Sequence, residues 1–173
     1  MNSMKTICFP KRLTLGNNPK HRRHKKAILL DSLFYFEETM KKESILSLTI
    51  PMQPIAKARP RIIGKHSYTP KRTKNAESII ATHVQARYKR EVLESPIGIR
   101  VVFVHARPKN LKGDHRIPKA TRPDGDNLVK TVTDAIEGIV YKNDGQICFW
   151  QMEDWYAASN EQPSISLEIY TIS

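Results

Sequence analysis

Pro123-Asp124-Gly125-Asp126-Asn127-Leu128-Val129-Lys130-Thr131-Val132-Thr133-Asp134-Ala135-Ile136-Glu137-Gly138-Ile139 carries both the acidic cluster of this chain and its clearest periodicity. At about 100° per residue, Leu128, Val132, Ala135, Ile136 and Ile139 share one side, and Asp126, Lys130 and Asp134 share the other. The spacing predicts an amphipathic helix that starts near Asp126 and stops near Gly138, its apolar side on a sheet and its polar stripe toward whatever the protein binds. A rise of about 1.5 Å per residue puts Lys130 roughly 6 Å and Asp134 roughly 12 Å along the axis from Asp126. Lys130 is therefore assigned to the site, and Asp134, with Asn127, to its support.

Two ordinary uses compete for these carboxylates. Asp124 to Asn127 can form a turn and helix cap, and Asn143-Asp144-Gly145 can form a turn. A calcium loop is disfavoured, because its twelfth position holds Ala135 rather than an acid. The steps from Gly138 to Asp144 can span about 20 Å when extended, enough to carry Asp144 back toward Asp124 and Asp126.

Working outward, Ile97 to Ala106 is rich in Ile, Val and Phe and is predicted to be a central strand. Asn75 to Glu94 lacks Gly and Pro, repeats apolar residues at helical spacing and stops at Ser95-Pro96, which predicts a helix. Ser44 to Ile50, Gln146 to Ala157 and Ser164 to Ile172 alternate as strands. Segments 57–72 and 107–123 are rich in Lys, Arg and Pro and are expected as basic loops. The order β, α, β, α, β, β predicts an α+β fold: one compact domain, a mixed sheet with a parallel pairing somewhere, packed by two main helices.

Charge is divided along the chain. Residues 57–122 hold 17 Lys/Arg against 4 Asp/Glu, whereas residues 123–173 hold 2 against 9. One region suits a polyanion and the other suits cations. The basic candidates for phosphate contact are Lys57, Arg59, Arg61, Lys71, Arg72, Lys74, Arg107, Lys109, Lys112, Arg116, Lys119 and Arg122. The two cysteines, Cys8 and Cys148, form no metal-ligating or disulfide pattern and fit a reducing cytoplasm. The apolar stretch Ala27 to Phe36 is too short to span a membrane, so no anchor is expected. Residues 1–43 form a basic N-terminal extension before the domain at 44–173, expected as a disordered arm or as sequence upstream of a start at Met40.

Carboxylates brought together repel unless a cation compensates. Asp124, Asp126 and Asp144 suit Mg²⁺, which favours octahedral oxygen ligation, with Mn²⁺ as a substitute. Such an ion would activate water against a phosphodiester, with Lys130 stabilising the developing charge.

Asp124-Gly-Asp126-Asn-Leu-Val-Lys130, followed by Asp134-Ala, Gly138 and Asp144-Gly-Gln146-Ile, resembles the RusA family of Holliday junction resolvases. Lys57-Ala-Arg59-Pro-Arg61 and Tyr68-Thr-Pro-Lys71 are similar to that family's basic motif, and the resemblance covers residues 44–172. It implies a RusA-like fold and a homodimeric, Mg²⁺-dependent endonuclease that nicks a four-way DNA junction in pairs during recombination and repair. It also implies a location at the nucleoid, with a prophage origin fitting the family. Asp124, Asp126 and Asp144 become the acidic catalytic residues and Lys130 the basic one. Where the family often has a second acid before the last aspartate, this chain has Asn143, and residues 1–39 have no counterpart. A two-fold dimer matches the two symmetry-related cleavage positions of a junction. The competing expectations are a less selective branched-DNA endonuclease and a catalytically silent junction-binding protein.

Overall fold

Alternating apolar residues decide which face of each strand turns inward. The computed structural model describes residues 42–59, 61–63 and 66–172, so the expected N-terminal extension lies outside the described residues apart from Lys42 and Glu43. Strand β1 (Lys42–Ile50) pairs antiparallel with β7 (Ser164–Ile172), and β7 pairs antiparallel with β4 (Ile97–His105). Opposite pairs such as Leu48 with Leu167, Ile99 with Ile169 and Phe103 with Ile165 build one apolar face. β6 (Ile147–Tyr156) lies parallel to β4 on its other side, and the short β5 (Ile117–Pro118) ends the sheet, giving the order β1-β7-β4-β6-β5. The central placement of residues 97–105 and the parallel pairing agree with the sequence reading.

Two helices cover that face. Helix α1 (Lys71–Arg87) buries Ala76, Ile80 and Val84, and helix α2 (Gly125–Ile136) buries Leu128, Val132, Ala135 and Ile136. All of these side chains except Ala76 join the strand residues in one core. Burying each large apolar side chain contributes roughly 1.5–3 kcal/mol. Parallel strands need a long crossover, and the connection from β4 to β6 supplies it with α2. Gly138 has φ +74°, the left-handed conformation that stops a helix, and its N–H donates to the Tyr141 carbonyl at 2.8 Å. The opposite sheet face is polar, with Thr49 bonded to Ser166 at 3.0 Å and Arg100 to Glu153 at 2.8 Å.

Three local expectations change. The helix expected to run to Glu94 begins earlier, at Lys71, and ends at Arg87. Tyr88 turns extended there, buries its ring and donates its hydroxyl to the Glu91 carbonyl at 2.7 Å, and the chain then runs on to bond Leu93 N–H to the Val140 carbonyl. The basic loop before α1 contains a hairpin of β2 (Arg61–Ile63) and β3 (His66–Tyr68). The later basic loop contributes β5 to the sheet edge.

Candidate active site and nucleic-acid interface

The wheel of α2 holds in three dimensions: Leu128 and Val132 are buried, while Asp126 and Lys130 are exposed. Asp124 occupies the N-cap position in an extended conformation (φ −70°, ψ 142°), and its carbonyl receives Leu128 N–H at 3.3 Å. The position is that of a cap, but the side chain makes no cap hydrogen bond. Asp126 lies in the first turn, where the helix dipole favours an anion, and accepts a bond from the Asn127 side-chain amide at 3.2 Å. Gly125 is pressed against β6, because a Cβ there would sit 2.7 Å from the Met152 sulfur.

Asp134 has a structural partner. It pairs with Lys57 at 2.7 Å, and Lys57 also binds Glu77, so one ammonium ties α1 to α2. Burial works against that charge, but the bonds to Asp134 and Glu77 outweigh it and raise the Lys57 pKa. Lys130 stands 3.8 Å from the other Asp134 oxygen and is more than half exposed.

Asp144 sits elsewhere. It opens a short 3-10 turn (Asp144–Gln146) immediately before β6. The Gln146 side chain holds that turn: its oxygen receives the N–H groups of Lys142 and Asn143 at 2.8 and 3.0 Å. Its amide donates to the carbonyls of Leu93 and Ser95 at 2.8 and 3.1 Å. All four bonding positions of the amide are used. The turn therefore lies where β4 and β6 begin, whereas Gly125 packs on Met152, well along β6. Ile147 to Met152 alone covers about 17 Å at roughly 3.3 Å per residue. The chain length between Gly138 and Asp144 allowed a return, but residues 139–143 are held at the end of α2 by Val140, Tyr141 and Gln146. Within one chain the structure does not bring Asp144 to Asp124 and Asp126. Among the described residues, no three His, Cys, Asp or Glu side chains are close enough to hold a metal ion.

The basic residues divide into two groups. Four of the twelve candidates are engaged internally. Lys57 forms the bridge above, and Arg116 forms a two-toothed pair with Glu161. Arg107 donates to the carbonyls of Leu111, Lys112, His115 and Ala157, organising the loop after β4. Lys119 is nearly buried and bonds Asp154. Arg59, Lys71, Arg72, Lys74, Lys109, Lys112 and Arg122 are exposed, and Arg61 lies in β2. Arg59 and Arg122 border one depression together with Lys57, Asp124 and Asn127. Arg59 and Arg72 border a neighbouring one that Pro123 also lines. The loop that carries Arg59 is fixed by Lys57 N–H on the Asn127 carbonyl at 2.8 Å.

Sequence reasoning missed Gln146 and the buried residues around Lys119. The signal for Gln146 was its place in the Asp144-Gly-Gln146 motif; for Lys119 composition offered none. No helix among the described residues is long and apolar enough to cross a membrane.

The uncharacterized protein YqaN of Bacillus subtilis (strain 168) is 25% identical over 141 residues, which cover 74% of this chain and 97% of that protein. A family model described as endodeoxyribonuclease RusA matches residues 51–170, from the end of β1 through β7. That span includes the α2 carboxylates, Asp144 and the basic loops, and the chain belongs to the RusA endodeoxyribonuclease family.

Proposed function

We propose that this protein is a Mg²⁺-dependent endonuclease that resolves four-way DNA junctions by paired nicks and works as a homodimer. The observation that carries the proposal is the Asp124 carboxylate, not used as a helix cap and bordered by Arg59 and Arg122. A carboxylate exposed among arginines is poised for a cation and a phosphate together.

Electrostatics at α1 support a nucleic-acid partner. Its first turn holds Lys71 and Arg72, with Lys74 just beyond, and no acid. Cations at the positive end of a helix oppose the dipole, an arrangement that a polyanion relieves.

The separation of Asp144 from Asp124 and Asp126 supports the dimer. We assign each active site to two subunits: Asp124, Asp126 and Lys130 from one, and Asp144 from its two-fold mate. Mg²⁺, or Mn²⁺ in its place, would be held by the three carboxylates and, when bound, favours deprotonation of the attacking water and the charge that builds on the scissile phosphate. Lys130 faces the same charge with its ammonium, and Arg59 and Arg122 hold the flanking phosphates.

The test is cleavage of an end-labelled four-way junction by wild type and Asp126→Asn, with Mg²⁺ or chelator, beside linear duplex of matched sequence. Symmetric nicks on the junction alone, from wild type with Mg²⁺, are expected. Nicking of forks and duplex at equal rates would replace the proposal with a less selective nuclease, and binding without any nick would make the chain a silent relative.

A further inference from the structure

Lys119 is a charged side chain only 3% exposed, in a protein with ample surface for lysines. Its ammonium donates to the Thr121 carbonyl at 2.6 Å, the Pro123 carbonyl at 3.2 Å and Asp154 Oδ2 at 3.2 Å. An ammonium has three donors, and each has an acceptor. Its backbone N–H also binds the Asp154 carbonyl at 2.9 Å.

Behind this cation the network continues inward. Ala106 N–H donates to Gln53 Oε1 at 3.0 Å, which turns the Gln53 amide nitrogen to His105 Nδ1 at 3.2 Å. That nitrogen must then accept, so the imidazole proton sits on Nε2, 2.8 Å from Asp154 Oδ1, although the two atoms do not meet in hydrogen-bond geometry. Burial keeps the His105 pKa below its ordinary value despite the opposing pull of Asp154. Lys119, Asp154 and His105 thus form one continuous set of contacts.

Burying such a pair is expensive, and apolar residues of similar volume stabilise a fold equally well or better. What apolar residues cannot do is hold two carbonyl groups at fixed positions. The two carbonyls here belong to Thr121 and Pro123, the turn that delivers Asp124 to the start of α2. We propose that Lys119, seated on Asp154, is a positioning residue that sets the direction in which Asp124 presents its carboxylate. The inference rests on the reading of Asp124 as a site carboxylate.

The experiment uses the full chain with Lys119→Met, Asp154→Asn and the double variant Lys119→Met/Asp154→Leu. For each, melting temperature, junction affinity in EDTA with its salt dependence, and cleavage against Mg²⁺ concentration are measured. The double variant removes both buried charges but leaves the His105 Nε2 proton without its carboxylate neighbour, so it is expected to melt below wild type, remain folded at the assay temperature and bind the junction normally. Its cleavage is expected to fall about tenfold or more, with more Mg²⁺ needed for half-maximal rate, as when a residue supporting a metal ligand is lost. Asp154→Asn keeps the shape and an acceptor, and should show the same split to a smaller degree. If the double variant does not fold, that single variant carries the test. Wild-type cleavage and Mg²⁺ dependence in the folded variants would overturn the proposal. So would a loss of junction affinity with the salt slope reduced by about one, which marks a phosphate contact instead. Asp124→Asn is the control: if it cleaves normally, the site reading itself fails, whatever the Lys119 variants do.

Discussion

If each site draws Asp126 from one subunit and Asp144 from the other, two inactive proteins should restore each other. In a mixed dimer of Asp126→Asn and Asp144→Asn subunits, one site collects both substitutions and the other collects neither. Random mixing in equal amounts makes about half the dimers mixed, so about a quarter of the wild-type number of sites returns. Each mixed dimer holds a single working site, so the product is a nicked junction and not a pair of resolved duplexes. Were the three aspartates to serve within one subunit, every site in every dimer would carry one substitution, and the mixture would be as inactive as its parts. The place of Asp144 just before β6, with Gly125 on Met152 further along the same strand, is the physical basis for the first outcome. The assay is denaturing electrophoresis of junctions labelled on each strand in turn, after the variants are unfolded together and refolded to exchange subunits. An inactive mixture that contains mixed dimers, verified by two different affinity tags, would refute the two-subunit site.

Other outcomes follow from the same geometry. Replacing Gln146 with Leu removes four bonds around the Asp144 turn, and urea unfolding should show a loss of about 2–6 kcal/mol at roughly 0.5–1.5 kcal/mol per bond. Substituting Lys71 and Arg72 with Gln should weaken junction binding and lower its salt slope by about one per lost phosphate contact, while the melting temperature stays level or rises because the cations oppose the helix dipole. Unchanged affinity would exclude the start of α1 from the interface. Phe103→Ala should destabilise by roughly 3–5 kcal/mol, read by the same unfolding curves, because the ring is fully buried between the helices and the sheet. Acid should destabilise the fold through His105. Its folded pKa lies below the ordinary 6.5, so the unfolded chain takes up the proton first and stability falls as pH drops below about 6.5, a slope that His105→Gln should reduce in melting curves.

Helix α2 and strand β4 were legible because their patterns are local: an apolar stripe at period 3.6 and a run of branched residues need no partner to be recognised. A parallel pairing was expected somewhere in the sheet, but the pattern alone did not say which strands form it. The early end of α1 was hidden because Tyr88 is as acceptable in a helix as beside one, and only its burial in the core decides between them. The β2–β3 hairpin is three residues a side and interrupts a segment whose Pro and Lys content reads as loop. At the site, counting charges identified the basic region but not the internal partners of Lys57, Arg107, Arg116 and Lys119. Their carboxylate and carbonyl partners come from distant segments, such as Asp154 and Glu161. Chain reach set an upper bound for Asp144 that the fold does not use.

The position of β7 bears on how this nuclease is made. Its strand lies between β1 and β4, and a bonded pair such as Thr49 and Ser166 is 117 residues apart in the chain. During translation β1 emerges early and has no edge to join until residues 164–172 have cleared the ribosome. Contacts of such long separation form late, so the sheet beneath the helices closes only after synthesis of this last strand. A message cut short before it would leave the carboxylates of α2 on an unfinished platform, and no stray DNA-cleaving activity would come from a partial product.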